Sequence, residues 1–429
     1  MSTRKLHQMT AAEIVRAIAA GKTTAIAVAE ACLAHIAERE PQVEAWHYLD
    51  PQRVLEQARA LDRRGSTGPL QGVPVGIKDI IDTDDMPTEY GTPIHKGRQP
   101  RLDAACVALT RRAGGLIMGK TVTTEFANFF PGKTRNPFDP RRTPGGSSSG
   151  SGAAVGAEMV PLAIGTQTTA STIRPAAFCG CVGYRPTWGD LRCAGVMEAS
   201  SSLDTLGLIA RSIDDIALYR DVLMGITPEA LPADAGSPPR IGFCRSPMWE
   251  QCEPETKRLL ENCASGLARA GAAVSDVELP PEFTRIEDAH RWISSFEFAR
   301  NRAWEIDRHW DMISETLRNN RIRNGLDCSE QTYREARAFA ERCRLKLDDL
   351  FAGYDILLTP AVAGEAPLGL KATGNASFCA IWTTMHVPAM TLPLFTGPNG
   401  LPVGAQLIAR RDDDRRLMMA ARWVQRACT

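Results

Sequence analysis

The sequence predicts an α/β fold: a single large domain on a central mixed β-sheet, covered by helices on both faces. Three observations carry this prediction. Short apolar runs with strand composition recur along the chain, among them GVPVGIKDII (72–81), LIMGK (116–120), PRIGFC (239–244), DILLTPA (355–361), PAMTLPLF (388–395) and VGAQLIAR (403–410). Segments of helical character separate them, so strands and helices alternate. The chain has 429 residues, 44% hydrophobic and 23% charged, an ordinary globular composition with enough length for a large core.

In chain order, Thr10 and Glu13 form a T-x-x-E capping box ahead of AAEIVRAIAAG, which Gly21 ends. Thr24 opens a second helix with Ile26, Ala29, Leu33 and Ile36 on one face, so residues from about 8 to 40 are a helical pair. Gly72–Ile81 reads as a strand with glycine breaks. Ala104–Arg112 is helical and runs into the buried strand LIMGK. Phe126–Thr143, rich in Pro, Arg and Asn, is a loop. Ser151–Met159 reads as a buried helix and Val160–Ile164 as a strand. Residues from about 285 to 350 are helical, charged and aromatic, a variable cap on a core of about 65–220 and 355–429. The whole chain, 1–429, reads as one domain.

Fifty basic and 50 acidic residues give zero formal charge, which argues against nucleic acid as the main partner. The N-terminal MSTRKLHQMTAAEIV lacks the apolar core of a signal peptide, and no run approaches the ~18 apolar residues of a membrane span. The expectation is a cytoplasmic protein, monomer or homodimer, with reduced thiols and no membrane association. Twelve cysteines are scattered, with Cys179 and Cys181 as a C-x-C and no C-x-x-C, so no zinc or other metal and no cofactor is expected.

The chemistry concentrates in PGGSSSGSGAAVGAEMVPLAIGTQTTASTIRP (144–175). Two serine clusters, at Gly145–Ser148 and Thr169–Thr172, set hydroxyls among small residues where backbone N–H groups can approach a ligand. A serine needs a base, and none of the seven histidines lies near either cluster in sequence. Lys78 sits in an apolar run, where desolvation would lower its pKa. On its own, Lys78 reads more simply as a partner of Asp79 or Asp82.

Taken together, GVPVGIKDIID, the Gly/Ser stretch, S-x-I-R-P-A-A-F-C-G, KTVTTEFA (120–127), SLDTLGLIARS (202–212) and LPVGAQLIAR (401–410) resemble the amidase signature family of Ser–cis-Ser–Lys hydrolases over nearly the whole chain. The resemblance implies that family's fold and a cis peptide at the bridging serine, Ser147. It implies Ser171 as nucleophile and Lys78 as base. Backbone N–H groups of Thr168, Thr169, Ala170 and Ser171 would form the oxyanion hole. The implied activity is hydrolysis of a small-molecule amide or carbamate, the family including urethanases, with no cofactor. Where the family carries Gly-Gly before the nucleophile, this chain has Thr169-Ala170. Either that turn uses ordinary φ values or the hole has shifted. Gln167 stands where many members have Asp and is expected to support the loop by hydrogen bonds. Arg174 is a candidate for a substrate carboxylate, with a structural ion pair as the favoured alternative. Phe126, Phe129, Phe130, Trp382 and His386 are candidate pocket walls, core packing being the commoner role for each.

Gly146–Gly150 also fits G-x-S-x-G, but KTRNPFDPRRTP before it cannot be the buried strand that a nucleophile elbow requires. No G-K-[ST] follows the glycines, which excludes a phosphate loop. Two further readings follow from the family. One is an amidotransferase A-type subunit that works with a partner, set second because of GTQT, STIRPA and the neutral charge. The other is a non-catalytic relative, prompted by Thr169-Ala170.

Overall fold

The computed structural model describes residues 4–65, 68–232 and 237–428. Helices α1 (Ala11–Ala19) and α2 (Ala25–Val43) start at Thr10 and Thr24, whose hydroxyls accept from Glu13 N and Ala27 N at 3.2 Å each. Glu13 returns the bond by accepting from Thr10 N at 2.9 Å, completing the capping box. There follow β1 (Trp46–Leu49), α3 (Pro51–Arg64), β2 (Pro74–Lys78), α4 (Ala105–Arg112), β3 (Leu116–Thr121), α5 (Ser149–Gly156), β4 (Leu162–Gln167), α6 (Ile173–Phe178), β5 (Val182–Arg185) and β6 (Thr205–Ala210). The chain continues through α7 (Ile213–Met224), β7 (Arg240–Cys244), α8 (Pro254–Arg269) and β8 (Ala273–Val277). The cap is α9 (Ile286–Asn301), α10 (Ala303–His309), α11 (Glu315–Leu317), α12 (Arg323–Asp327) and α13 (Glu330–Leu350), with a π-helical turn at Arg318–Ile322. The chain closes with β9 (Ile356–Pro360), α14 (Ser377–Thr384), β10 (Ala389–Thr396), β11 (Pro402–Ile408) and α15 (Asp414–Cys428).

Among the described residues the strands form one 11-stranded mixed sheet in the order β1-β3-β2-β4-β6-β5-β10-β11-β9-β7-β8. Its centre is antiparallel, from β4 through β9, and a parallel group flanks it on either side: β3-β2-β4 and β9-β7-β8. Strands β2, β3, β4, β6 and β9 are buried along their whole length, as a sheet covered on both faces requires. No described helix is long and apolar enough to cross a membrane.

Several elements differ from the sequence expectation for definable reasons. The strand expected over 72–81 ends at Lys78, because Ile80 N and Ile81 N both turn back to the Lys78 carbonyl at 2.8 and 3.0 Å. That turn leaves Lys78 at the strand's end. β4 starts at Leu162 rather than Val160, just after Pro161, which has no N–H for the ladder. β1, β5, β6, β8 and α3 go beyond the elements expected from the sequence.

Candidate active site

Lys78 is fully buried, and its Nζ donates to Ser147 Oγ and to Thr166 Oγ1, both at 2.7 Å. The neighbouring carboxylates are engaged elsewhere. Asp79 lies 3.3 Å from Lys120 Nζ, and Asp82 takes a two-pronged contact from Arg98 at 2.7 and 2.9 Å. The simple ion-pair reading of Lys78 is therefore not what occurs. Burial brings the Lys78 pKa down to about 7, against a smaller opposing pull from Asp204.

The Gly146–Ser147 peptide bond is cis, and Gly145 before it has φ +82°. A side chain at Gly145 would also meet the backbone of Pro175 at 2.9 Å, so the two serine loops touch here. Ser148 N donates to the Ser171 carbonyl at 3.2 Å, and Arg174 Nη2 donates to the Gly146 carbonyl at 2.8 Å. These contacts bring the backbone carrying Ser171 against the backbone carrying Ser147. Both serines are buried.

Gln167, at the end of β4, accepts from Thr172 N and Ile173 N at 3.0 Å each and donates to Thr383 Oγ1 at 3.1 Å. Its side chain thus ties the loop to both β4 and α14. Neither Thr169 nor Ala170 is among the residues with positive φ, so the turn that replaces Gly-Gly uses ordinary backbone angles. Asp204 accepts from Thr168 Oγ1 at 2.5 Å and from Ala199 N and Ser200 N at 2.7 and 2.9 Å. Desolvation raises its pKa to about 6.

Two cavities flank the loop. One, of about 350 Å³, is lined by Thr166, Thr168, Met197, Ala199, Ser201 and Asp204 among others. The other, about 570 Å³, lies under the cap and is lined by Thr169, His290, Ser294, Asn320, Arg321 and Phe129 among others. Of the expected walls, only Phe129 lines this larger cavity, and the others need correcting. Phe126 is in the core, its ring edge-on to His95, because a left-handed turn (φ 45°) carries it inward. Trp382 is fully buried in the core on α14. His386 is stacked on Trp188 with Nε2 2.7 Å from the Ser202 carbonyl, and burial pushes its pKa down to about 2. Phe130 is exposed and does not line the cavity.

Among the described residues Arg174 forms no ion pair. Its buried guanidinium donates to the carbonyls of Gly374 (2.6 Å) and Gly146 (2.8 Å) and to Thr373 Oγ1 (3.1 Å), riveting the bridging-serine loop to α6.

Sequence reading missed the residues that the cap contributes. His290 on α9 is buried, and its Nε2 lies 2.9 Å from the Thr168 carbonyl. Arg321 is buried and lines the larger cavity, packed over the faces of Phe129 and Phe298 at 5.4 and 5.9 Å. Among the described residues it has no hydrogen-bond or ion-pair partner, and desolvation lowers its pKa to about 10. Neither residue had a local signal, since each lies more than a hundred positions from the serine loops.

Comparison with known proteins gives a consistent picture. The chain matches the Amidase family over residues 27–418. It is 34% identical to the A subunit of the glutamyl-tRNA(Gln) amidotransferase from Chloroflexus aggregans, over 98% of this chain and 97% of that protein. Its fold superposes with TM-score 0.87 on a structure described as a vestigial protein complex that reveals the origins of an s-triazine catabolic enzyme. Identity there is 27%, covering 97% of this chain and 98% of the other. It superposes with TM-score 0.84 on the native peptide amidase of Stenotrophomonas maltophilia, at 26% identity over 98% and 97% of the two chains.

Proposed function

The chain belongs to the amidase family, and from that premise we propose that it breaks the C–N bond of a carboxamide through an acyl-enzyme on Ser171, with Ser147 and Lys78 as proton relay. The observation that carries this reading is the pair of 2.7 Å contacts from the buried Lys78 Nζ to Ser147 Oγ and Thr166 Oγ1. A buried lysine with a pKa near 7 has a substantial neutral fraction at neutral pH. Neutral Nζ takes the Ser147 hydroxyl proton, Ser147 takes that of Ser171, and Ser171 Oγ attacks the carbonyl carbon. Backbone N–H groups of residues 168–171 meet the oxyanion. The relay then runs backwards and protonates the nitrogen, the C–N bond breaks, and the amine departs. Water, deprotonated by the same relay, releases the acid.

Arg321 supports a substrate whose far end carries a carboxylate or is rich in acceptors. A guanidinium at a cavity wall with no carboxylate directly paired to it among the described residues, and only the more distant attraction of Asp204, is a ready partner for a carboxylate. Arg321→Gln should raise KM for a carboxylate-bearing amide by ~10–100-fold and leave a neutral amide of the same length within a few-fold. Equal effects on both substrates would remove this assignment.

Two fates of the released nitrogen fit the same chemistry. In a stand-alone hydrolase it leaves as free amine or ammonia, whereas in an A-type amidotransferase subunit it passes to a partner. The similarity to the A subunit of an amidotransferase favours the second fate, which the sequence alone places behind the first.

The test is a panel of carboxamides, carbamates and esters with purified protein, read by the acyl mass on Ser171 and by ammonia in solution. Lys78→Ala, Ser147→Ala and Ser171→Ala should each lower turnover by at least ~10³-fold with thermal melts preserved. Full activity in any one would sink the relay. Sustained turnover without a partner would decide for the hydrolase, and a slow basal rate that rises only on adding a partner for the amidotransferase role.

A further inference from the structure

The segment before Ser171 is pinned by its carbonyls. The Thr168 carbonyl lies 2.9 Å from His290 Nε2 of α9, and the Thr169 carbonyl accepts from Thr383 Oγ1 of α14 at 2.8 Å. The Ala170 carbonyl accepts from Arg174 N at 3.0 Å, and the Ser171 carbonyl from Ser148 N at 3.2 Å. Four successive peptide planes are thus held from four different places. In a trans peptide the C=O of one residue and the N–H of the next point in opposite directions. Fixing the carbonyls of 168, 169 and 170 therefore fixes the N–H groups of Thr169, Ala170 and Ser171. Thr169 and Ala170 stand where the family resemblance expects Gly-Gly, yet neither needs a positive φ. External hydrogen bonds set the course of this backbone.

We infer that His290, a residue of the cap, is a positioning residue for the oxyanion hole: its Nε2–H holds the Thr168 carbonyl and so aims the Thr169 N–H. A carbonyl can only accept, so Nε2 carries the hydrogen and the ring is the Nε2–H tautomer. Burial keeps the ring neutral, its pKa lowered to about 4, so one N–H is available and it is committed to Thr168. His290 also lines the 570 Å³ cavity with Thr169, which puts the clamp on the wall where substrate would lie. The sheet core alone does not complete the loop; α9 of the cap does.

This inference rests on the reading of Ser171 as nucleophile, and the experiment separates the two. The probe is a fluorophosphonate, whose phosphonylation of a serine develops negative charge on an oxygen held in the hole. The saturable labelling rate of Ser171 is followed by mass spectrometry in wild type, His290→Phe, His290→Gln and Thr383→Val, each checked by thermal melt. His290→Phe keeps the ring volume and loses the donor, and His290→Gln places an amide N–H near the position of Nε2. The expected result is a maximal labelling rate ~30–100-fold lower in His290→Phe, with half-saturation unchanged, and recovery to within ~3-fold of wild type in His290→Gln. Thr383→Val should slow the maximal rate too, and it decides the matter with His290→Gln if His290→Phe does not fold. A folded His290→Phe labelled within ~3-fold of wild type, or a change confined to half-saturation as for a cavity wall, overturns the inference. Absence of labelling at Ser171 in wild type overturns the nucleophile reading itself, and the inference with it.

Discussion

At the scale of single residues, the decisive quantity is the protonation of Lys78. Its pKa of about 7 lies well below the ordinary 10.5, with desolvation the main cause. Only the neutral amine can take a proton from Ser147, so kcat/KM should fall about tenfold per pH unit below about 7 and level off above it. A profile flat from pH 5 to 9 would remove Lys78 as base. The same shift bears on stability, with a definite sign. Between about 7 and 10.5 the unfolded chain holds a proton on this residue that the folded chain has lost. Stability contributed by this group therefore rises with pH across that window, and the full penalty of a buried cation is present below it. Lys78→Met removes the group and with it the slope. Comparing urea melts at pH 6.5 and 9.5, wild type should gain on the order of 1–3 kcal/mol relative to Lys78→Met. Parallel pH dependence in the two proteins would show that the lysine is not perturbed.

At the scale of elements, the two serine loops stand on a gap in the sheet. Gly165 of β4 and Gly207 of β6 are register partners. A Cβ on Gly165 would lie 2.5 Å from Ser148 Oγ, and one on Gly207 only 1.9 Å from Thr172 Oγ1. The two glycines make room for the side chains that immediately follow Ser147 and Ser171. Gly207→Ala must push Thr172 and the loop carrying Ser171 aside, so it should cost about 1–3 kcal/mol and lower turnover far more than that loss of stability explains. Gly266→Ala is the counterpart: in the last turn of α8 an added methyl meets only Arg269 Nη2 at 3.8 Å, and it should stabilise by ~0.5–1 kcal/mol with activity unchanged. Equal activity in the two variants would mean the loops do not depend on this floor. The same contrast explains what could be read in advance. The helix N-caps, β2 and β3 announce themselves locally, by Thr10, Thr24 and continuous apolar runs. Strand β5 has four residues, and edge strand β8 (AVSDV) exposes most of its side chains, so neither gives a periodic signal. Lys78, Ser147 and Ser171 sit in dense motifs, whereas His290 and Arg321 come near the loop through tertiary packing.

At the scale of the whole molecule, cap and core meet at several polar contacts, among them Ser314 on Glu125 and Glu305 on His95, and one further seam leads to the loop before Ser171. Glu297 of α9, largely buried, accepts from Ser200 Oγ at 2.5 Å, Ser202 N at 3.1 Å, the Ser202 hydroxyl, and Tyr333 Oη of α13 at 2.7 Å. Beside it, Leu203 packs into a small apolar cluster with Ala289, Ile293, Ala336 and Ala340 of the cap. The turn that Glu297 grips is the one whose Ala199 and Ser200 N–H groups bind Asp204, and Asp204 holds the Thr168 hydroxyl. A route of direct contacts therefore runs from cap to turn to the loop before Ser171, independent of His290 yet ending on the same residue. Removing the carboxylate leaves several buried donors without an acceptor, at a cost of about 2–4 kcal/mol. Glu297→Ala should therefore lower the melting temperature by several degrees and raise amide exchange in α9 and α13 before exchange rises in β2, β4 or β6. If the cap seats the loop as well as covering it, turnover in this variant should drop at temperatures well below the melt. Unchanged turnover beside a loosened cap would mean that this route does not seat the loop and would leave that task to His290.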